Sequence, residues 1–160
     1  MNTSKHTGRA QTASVTRTDH DEGDLVTVRE IQMIIATGTD LVIARQRARM
    51  MAEDIGFPQL NVTLSVVALS ELLHNIIKFA QRGRLMIKET ATGRRRGIHF
   101  TVSDGGPGIP NIAEAMREGY STGQGLGLGL PGCQRLMDDF EIESKVGKGT
   151  VVRMTKWIQK

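Results

Sequence analysis

Nine of the chain's 18 glycines fall between Gly105 and Gly132, and that density constrains the fold more than any other feature. Glycine loses more conformational freedom on folding than any other residue, so a helix or strand interior cannot carry it at this frequency. The segment reads as loop, and the folded body must be assembled from residues on either side of it. Within it, Ser121-Thr122-Gly123-Gln124-Gly125-Leu126-Gly127-Leu128-Gly129-Leu130 sets a glycine at every second position from Gly123. Backbone N–H groups of such a run are free to form an anion nest, and a helix starting after it adds its positive end, so a polyphosphate fits. The interleaved leucines argue against a plain flexible linker. Two better-known phosphate motifs fail here. No GxxxxGK[ST] sequence exists, and Gly127-Leu128-Gly129-Leu130-Pro131-Gly132, although it satisfies GxGxxG, follows no hydrophobic strand and sits in no βαβ unit. The His-Arg-Asp and Asp-Phe-Gly signatures of eukaryotic-type kinases are absent as well.

Around this segment lies material for one globular domain: 160 residues, 39% hydrophobic and 24% charged. A net charge of +4 from 21 bases and 17 acids is too even for a nucleic-acid footprint. The single cysteine, Cys133, cannot pair internally, and His6, His20, His74 and His99 lack zinc-ligand spacing. No apolar leader opens the chain and no run approaches 18 apolar residues, so a cytoplasmic protein with no membrane insertion is expected. Residues 1–23 are poor in large apolar side chains and read as a flexible tail, with the domain spanning 24–160. A strand follows over Leu25 to Ile35 and a helix capped by Asp40 runs to Ile55. A longer helix extends from about Asn61 to Phe79 on the stripe Val62, Val66, Leu69, Leu73 and Ile76. A hairpin turns at Thr92-Gly93, with Ile98, Phe100 and Val102 alternating in its second strand. A short helix covers Asn111 to Arg117 and another covers Leu130 to Asp138. Strands at Phe140 to Ser144 and Thr150 to Trp157 close the chain. This order predicts an α+β two-layer sandwich, with helices on one face of a mainly antiparallel mixed sheet.

Two further places could carry chemistry. On the long helix, Glu71, Asn75 and Lys78 fall on one face and offer a proton acceptor, an oxygen ligand for Mg²⁺ and a phosphate contact; taken alone they are equally a solvated polar stripe. After the alternating strand, Asp104-Gly105-Gly106-Pro107-Gly108-Ile109 joins an acceptor-only carboxylate to glycines that allow close backbone approach. That suits the exocyclic amine of adenine, and it equally describes a tight turn whose aspartate caps its own backbone.

Taken in order, Glu71-xxx-Asn75, the Asp104 motif, the glycine segment and Gly147-Lys148-Gly149-Thr150 resemble the four nucleotide boxes of the GHKL ATP-binding superfamily, whose fold is the Bergerat sandwich. The stretches SELLHN, DGGPGIPNI and YSTGQGLGLGLPGCQRLMDDFEIESKVGKGT resemble the RsbT-type switch kinases of bacterial stress signalling, over about Leu25 to Ile158. The resemblance implies an ATP- and Mg²⁺-dependent serine/threonine kinase acting on a STAS-domain protein. A PP2C-type phosphatase or a sigma-factor regulator would be a further partner. It implies Asp104 on the adenine amine, Gly106 and Gly108 near the base, and Thr150 closing the base pocket. Asn75 becomes the Mg²⁺ ligand, Glu71 the group that polarises the nucleophile, and Ser121, Thr122, Gly123, Gly125, Leu126, Gly127, Leu128 and Gly129 a phosphate lid. Lys78 is not general among such kinases, and Phe79-Ala80 stands where many relatives have His-Ala. The rival reading is a nucleotide-dependent binding switch that sequesters or activates a partner with little phosphoryl transfer. His74 lies about 100° round the helix from Asn75 and reads as packing, as does Cys133. Arg82, Arg84, Lys88 and the run Arg94-Arg95-Arg96 read as a solvated hairpin ahead of a dock for an acidic partner.

Overall fold

A computed structural model of the chain describes residues 9–16, 23–117 and 128–158. Six strands form one sheet in the order β1-β5-β6-β4-β3-β2: β1 Gln11–Thr16, β2 Val26–Ile35, β3 Gly83–Thr92, β4 Arg95–Asp104, β5 Asp139–Lys145 and β6 Gly149–Trp157. Every described pairing is antiparallel, so the mixed character expected of the sheet reduces to a uniform antiparallel one. The hairpins β3-β4 and β5-β6 arise locally. The pairing of β4 with β6 joins them across the glycine segment.

One face of the sheet is covered by helices α1 Gly38–Ile55, α2 Gln59–Asn75 and α4 Gly129–Leu136; a single turn, α3 Ile112–Ala115, lies beside β1. Alternation decides which side chains meet them. Leu85 and Ile87 of β3, Ile98, Phe100 and Val102 of β4, Phe140 and Ile142 of β5, and Val152 and Met154 of β6 face the helices and are buried. They share a core with Leu41, Ala44, Ala48 and Met51 of α1 and with Val62, Leu69 and Leu73 of α2. Each fully buried aliphatic side chain contributes roughly 1.5–3 kcal/mol.

Three expectations change. Gln11–Thr16 is not tail but an edge strand, with Ala13 opposite Ile142 and Val15 opposite Phe140. Backbone ladder bonds hold it where apolar bulk is scarce. Gln11 locks its end: Nε2–H donates to the Pro110 carbonyl at 2.8 Å, and Oε1 accepts from the Ile112 N–H at 3.1 Å. Helix α1 is capped by Thr37 rather than Asp40. Thr37 Oγ1 accepts from the Asp40 N–H, and Asp40 Oδ2 accepts from the N–H groups of Ala36 and Thr37 at 3.0 Å, a capping box. Those backbone bonds hold the Asp40 carboxyl below its ordinary pKa. Helix α2 begins at Gln59 and ends at Asn75, where the chain widens into a π-turn, Ile76–Ala80, that Gln81 terminates at φ +66°. A window of 18 residues within Gln59–Ala80 reaches the mean hydropathy of a membrane span, 1.5, but 56% of that window is buried inside the protein, as in the core helix of a folded domain.

Candidate functional site

The site is organised by the end of β4. Asp104 is its last residue and lies opposite Thr150, the second residue of β6, so strand register alone brings together two residues that the whole glycine segment separates. Gly149, just before Thr150, has φ +123°, and a Cβ there would stand 1.9 Å from the Asp104 carbonyl oxygen; only glycine lets the two strands meet here. Beyond β4 the chain turns. Asp104 Oδ1 accepts from the Gly106 N–H at 2.8 Å, the turn bond allowed by the sequence, while Oδ2 takes no hydrogen bond among the described residues. Gly106 sits against Ala80 of the π-turn: a Cβ on it would fall 2.7 Å from the Ala80 Cβ. The α2 end and the Asp104 loop are therefore in van der Waals contact, and Gly106 is the residue that permits it. Gly108 lies against the Lys145 and Val146 backbone of the β5-β6 turn, which the Gly147 N–H ties to the Pro107 carbonyl at 2.8 Å.

Ser144 is the functional residue that sequence reading missed. Its Oγ accepts from the Ile109 N–H at 2.8 Å, donates to the Gly149 carbonyl at 3.0 Å and stands 2.8 Å from Thr150 Oγ1, fastening the Asp104 loop to the β5-β6 turn. The available signal was a hydroxyl at a core-facing position, after Phe140 and Ile142 in the alternation of β5.

Glu71 and Asn75 of α2 and Lys78 of the π-turn run toward this loop in a gradient of exposure. Glu71 is 8% exposed, Asn75 is half-buried, and Lys78 is exposed with its ammonium 5.1 Å from the centroid of the Phe79 ring. Glu71 lies toward α4. Burial first, and then the Glu71 charge, pushes the Cys133 thiol up to about 12, and Cys133 Sγ–H donates to the Ala68 carbonyl, so this cysteine is an inert packing residue as expected. His74 Nδ1–H donates to the Ser70 carbonyl at 2.8 Å within its own helix. Of the lid residues, Ser121, Thr122, Gly123, Gly125, Leu126 and Gly127 lie outside the described residues. Leu128 caps α4 and Gly129 opens it, at the end of the helix that packs on α2. In the basic hairpin, Arg96 and Arg29 both bond the buried Glu89 carboxylate, and Arg95 stacks 4.6 Å from the centroid of Trp157. Two of the three consecutive arginines thus serve the fold.

A carboxylate with one oxygen committed to its turn and the other unpartnered among the described residues, beside a hydroxyl and a close-packed glycine loop, fits the amine edge of a flat base. Among the described residues no group of three His, Cys, Asp or Glu could hold a metal. The Asn75 carboxamide, at the end of α2 just before the π-turn that meets the loop, offers an oxygen that fits Mg²⁺, an ion usually carried by one or two side chains together with phosphate oxygens.

Residues 34–156 match the family described as Histidine kinase-like ATPase domain. The chain belongs to this family. It is 41% identical over 125 residues to the serine/threonine-protein kinase RsbT of Bacillus subtilis, covering 78% of this chain and 94% of that protein. It is 38% identical over 97 residues to an anti-sigma F factor of a Thermoanaerobacter species, covering 57% of this chain and 66% of that protein. Among solved structures, the RsbU and RsbW domains of a Mycobacterium tuberculosis protein superpose with a TM-score of 0.57 at 17% identity, over 81% of this chain and 32% of that one, a likeness of fold. The family's ATP-binding sandwich is thus the architecture described above.

Proposed function

We propose that this protein is an ATP- and Mg²⁺-dependent serine/threonine kinase of a bacterial partner-switching pathway, that it works in the cytoplasm, and that its substrate is a STAS-domain protein. The observation that carries the reading is the convergence of Asp104, Gly106 and Thr150 beside the helix end bearing Asn75, with Glu71 one turn further in, in a chain 41% identical to a serine/threonine kinase over most of both lengths. Its similarity to anti-sigma factors supports exchange of the kinase between partners, among them a PP2C-type phosphatase or a sigma-factor regulator.

ATP supplies the phosphoryl group and Mg²⁺ offsets the charge on its oxygens; the protein's contribution is positioning and electrostatics. Asp104 Oδ2 accepts from the adenine amine, while Oδ1 keeps the loop in shape through Gly106. The Thr150 hydroxyl, held by Ser144, borders the base. The Asn75 carboxamide oxygen would hold the metal, and backbone amides from Ser121 to Leu130 would surround the phosphates. Glu71 accepts the proton of the acceptor serine or threonine hydroxyl as its oxygen forms the new bond to phosphorus and ADP departs.

The test is a pair of variants assayed with labelled ATP and STAS-domain proteins. Glu71→Gln keeps the shape of a buried side chain; it should bind ATP and partner normally yet transfer roughly 10²-fold more slowly or worse. Asn75→Ala should weaken Mg²⁺-dependent nucleotide binding itself. Transfer by Glu71→Gln at the wild-type rate would remove the base assignment. A wild-type protein that binds a partner tightly with ATP but never phosphorylates one would be a binding switch.

A further inference from the structure

Two polar side chains on neighbouring strands take hold of one stretch of chain beside the candidate site. Gln11 of β1 lies directly opposite Ser144 of β5, and residues opposite each other in an antiparallel pair share a face. Ser144 Oγ accepts from the Ile109 N–H at 2.8 Å. Gln11 takes the next points along: its Nε2–H donates to the Pro110 carbonyl at 2.8 Å, and its Oε1 accepts from the Ile112 N–H at 3.1 Å. Residues 109–112 are thus gripped by backbone groups from the edge of the sheet. Strand β1 precedes residues 34–156, the stretch that matches the family, so half of this grip comes from outside the matched domain.

The gripped stretch leads out of the Asp104 loop and into α3, and in sequence the glycine segment comes next. Its own means of holding a shape are few. Pro110 has no N–H to give, and the Asn111 side chain is committed to capping α3, its Oδ1 accepting from the Glu114 N–H at 3.0 Å. Helix α3 is itself a single turn of four residues, too short to persist alone. Asn111 is extended, at φ −143° and ψ 99°, so the Gln11 amide meets the carbonyl before it and the N–H after it as a paired strand would. A carboxamide can donate and accept at once; glutamate in its place would set an oxygen against the Pro110 carbonyl. Ser144 carries the grip inward. The same Oγ that holds Ile109 stands 2.8 Å from Thr150 Oγ1 and donates to the Gly149 carbonyl at 3.0 Å, so a shift of this stretch is felt where Asp104 and Thr150 meet.

We infer that Gln11 is a positioning residue for nucleotide binding, through which strand β1 fixes the stretch between the Asp104 loop and the glycine segment. It acts on the backbone of Pro110 and Ile112 and not on the nucleotide. The inference rests on the nucleotide reading proposed above and adds to it a part for the N-terminal strand.

The test uses the full chain, with amide hydrogen exchange read without nucleotide and ATP with Mg²⁺ titrated by calorimetry. Gln11→Ala removes both bonds and leaves the β1-β5 ladder in place. Exchange at the Ile112 amide should quicken roughly tenfold or more, and the Kd for ATP should rise roughly three- to tenfold, the scale of one ordinary hydrogen bond. Val15→Ala is the control. Val15, opposite Phe140, steadies the same strand and makes neither bond of the grip, so this variant should melt lower yet bind ATP as wild type does. Should Gln11→Ala fail to fold, Gln11→Met, of similar length and with neither bond, is read in the same way. Unchanged Ile112 exchange or wild-type ATP affinity in a folded Gln11 variant would overturn the inference and leave the kinase reading standing. Equal weakening of ATP by Val15→Ala would overturn it too, assigning the effect to strand stability. A wild-type protein that binds no ATP would overturn the nucleotide reading, and this inference with it.

Discussion

Asp104→Asn isolates what one carboxylate oxygen does. In the structure Oδ1 accepts from the Gly106 N–H at 2.8 Å and Oδ2 has no partner among the described residues. Asparagine reproduces the first role, since its own carbonyl oxygen can accept from Gly106, and it inverts the second by placing an NH₂ donor where a bound base would present a donor. The turn bond and the backbone pairing of residue 104 with Thr150 should both survive, so stability should fall by less than about 1 kcal/mol. The nucleotide contact should not survive. Losing a hydrogen bond to a charged acceptor and leaving a donor facing a donor costs about 3 kcal/mol together, which is roughly 150-fold in Kd. Calorimetric titration of ATP with Mg²⁺, paired with a thermal melt of the same sample, reads both quantities. Unchanged ATP affinity in a folded Asp104→Asn protein would show that Asp104 only shapes its turn. A large drop in melting temperature would show the amide flipped, with the turn given up instead of the ligand contact.

Two further outcomes follow from the fold. Truncation to Asp24 removes β1 and the Gln11 clamp on Pro110 and Ile112; the melting temperature should drop by several degrees, and an unchanged melt would mean that the strand contributes nothing to stability. Glu89 is buried, which pushes its pKa up, but the bonds from Arg96 and Arg29 outweigh this and hold it below the ordinary value. A depressed carboxylate contributes stability above its unfolded pKa, about 4.3, and loses it as pH falls through the folded value. Glu89→Gln should therefore melt below wild type at neutral pH, by an amount tempered by the exposure of both arginines, and the gap should close in acid; a gap independent of pH would assign the loss to packing.

What the sequence made legible were features written in short windows. The alternation of Ile98, Phe100 and Val102, the three-and-four spacing of Leu41, Ala44, Ala48 and Met51, and the turn glycines at Gly93 and Gly147 all report local backbone preference, and each names an element the structure contains. The misses share a different cause. Gln11–Thr16 is a strand only because β5 offers it an edge, a partner more than a hundred residues downstream that no local pattern could announce. Thr37 rather than Asp40 caps α1 although both are good cap types, and the choice rests on which of them keeps helical dihedrals, a matter settled in three dimensions. The site divides along the same line. Asp104, Gly106 and Thr150 could be named as residue types in suggestive company, but their meeting depends on β4 pairing with β6 and on the π-turn after Asn75 carrying Ala80 onto Gly106. Ser144 belongs wholly to that second category. As a residue type it is unremarkable, and its importance comes from standing where three separately folded pieces arrive together: the loop at Ile109, the turn at Gly149 and the hydroxyl of Thr150.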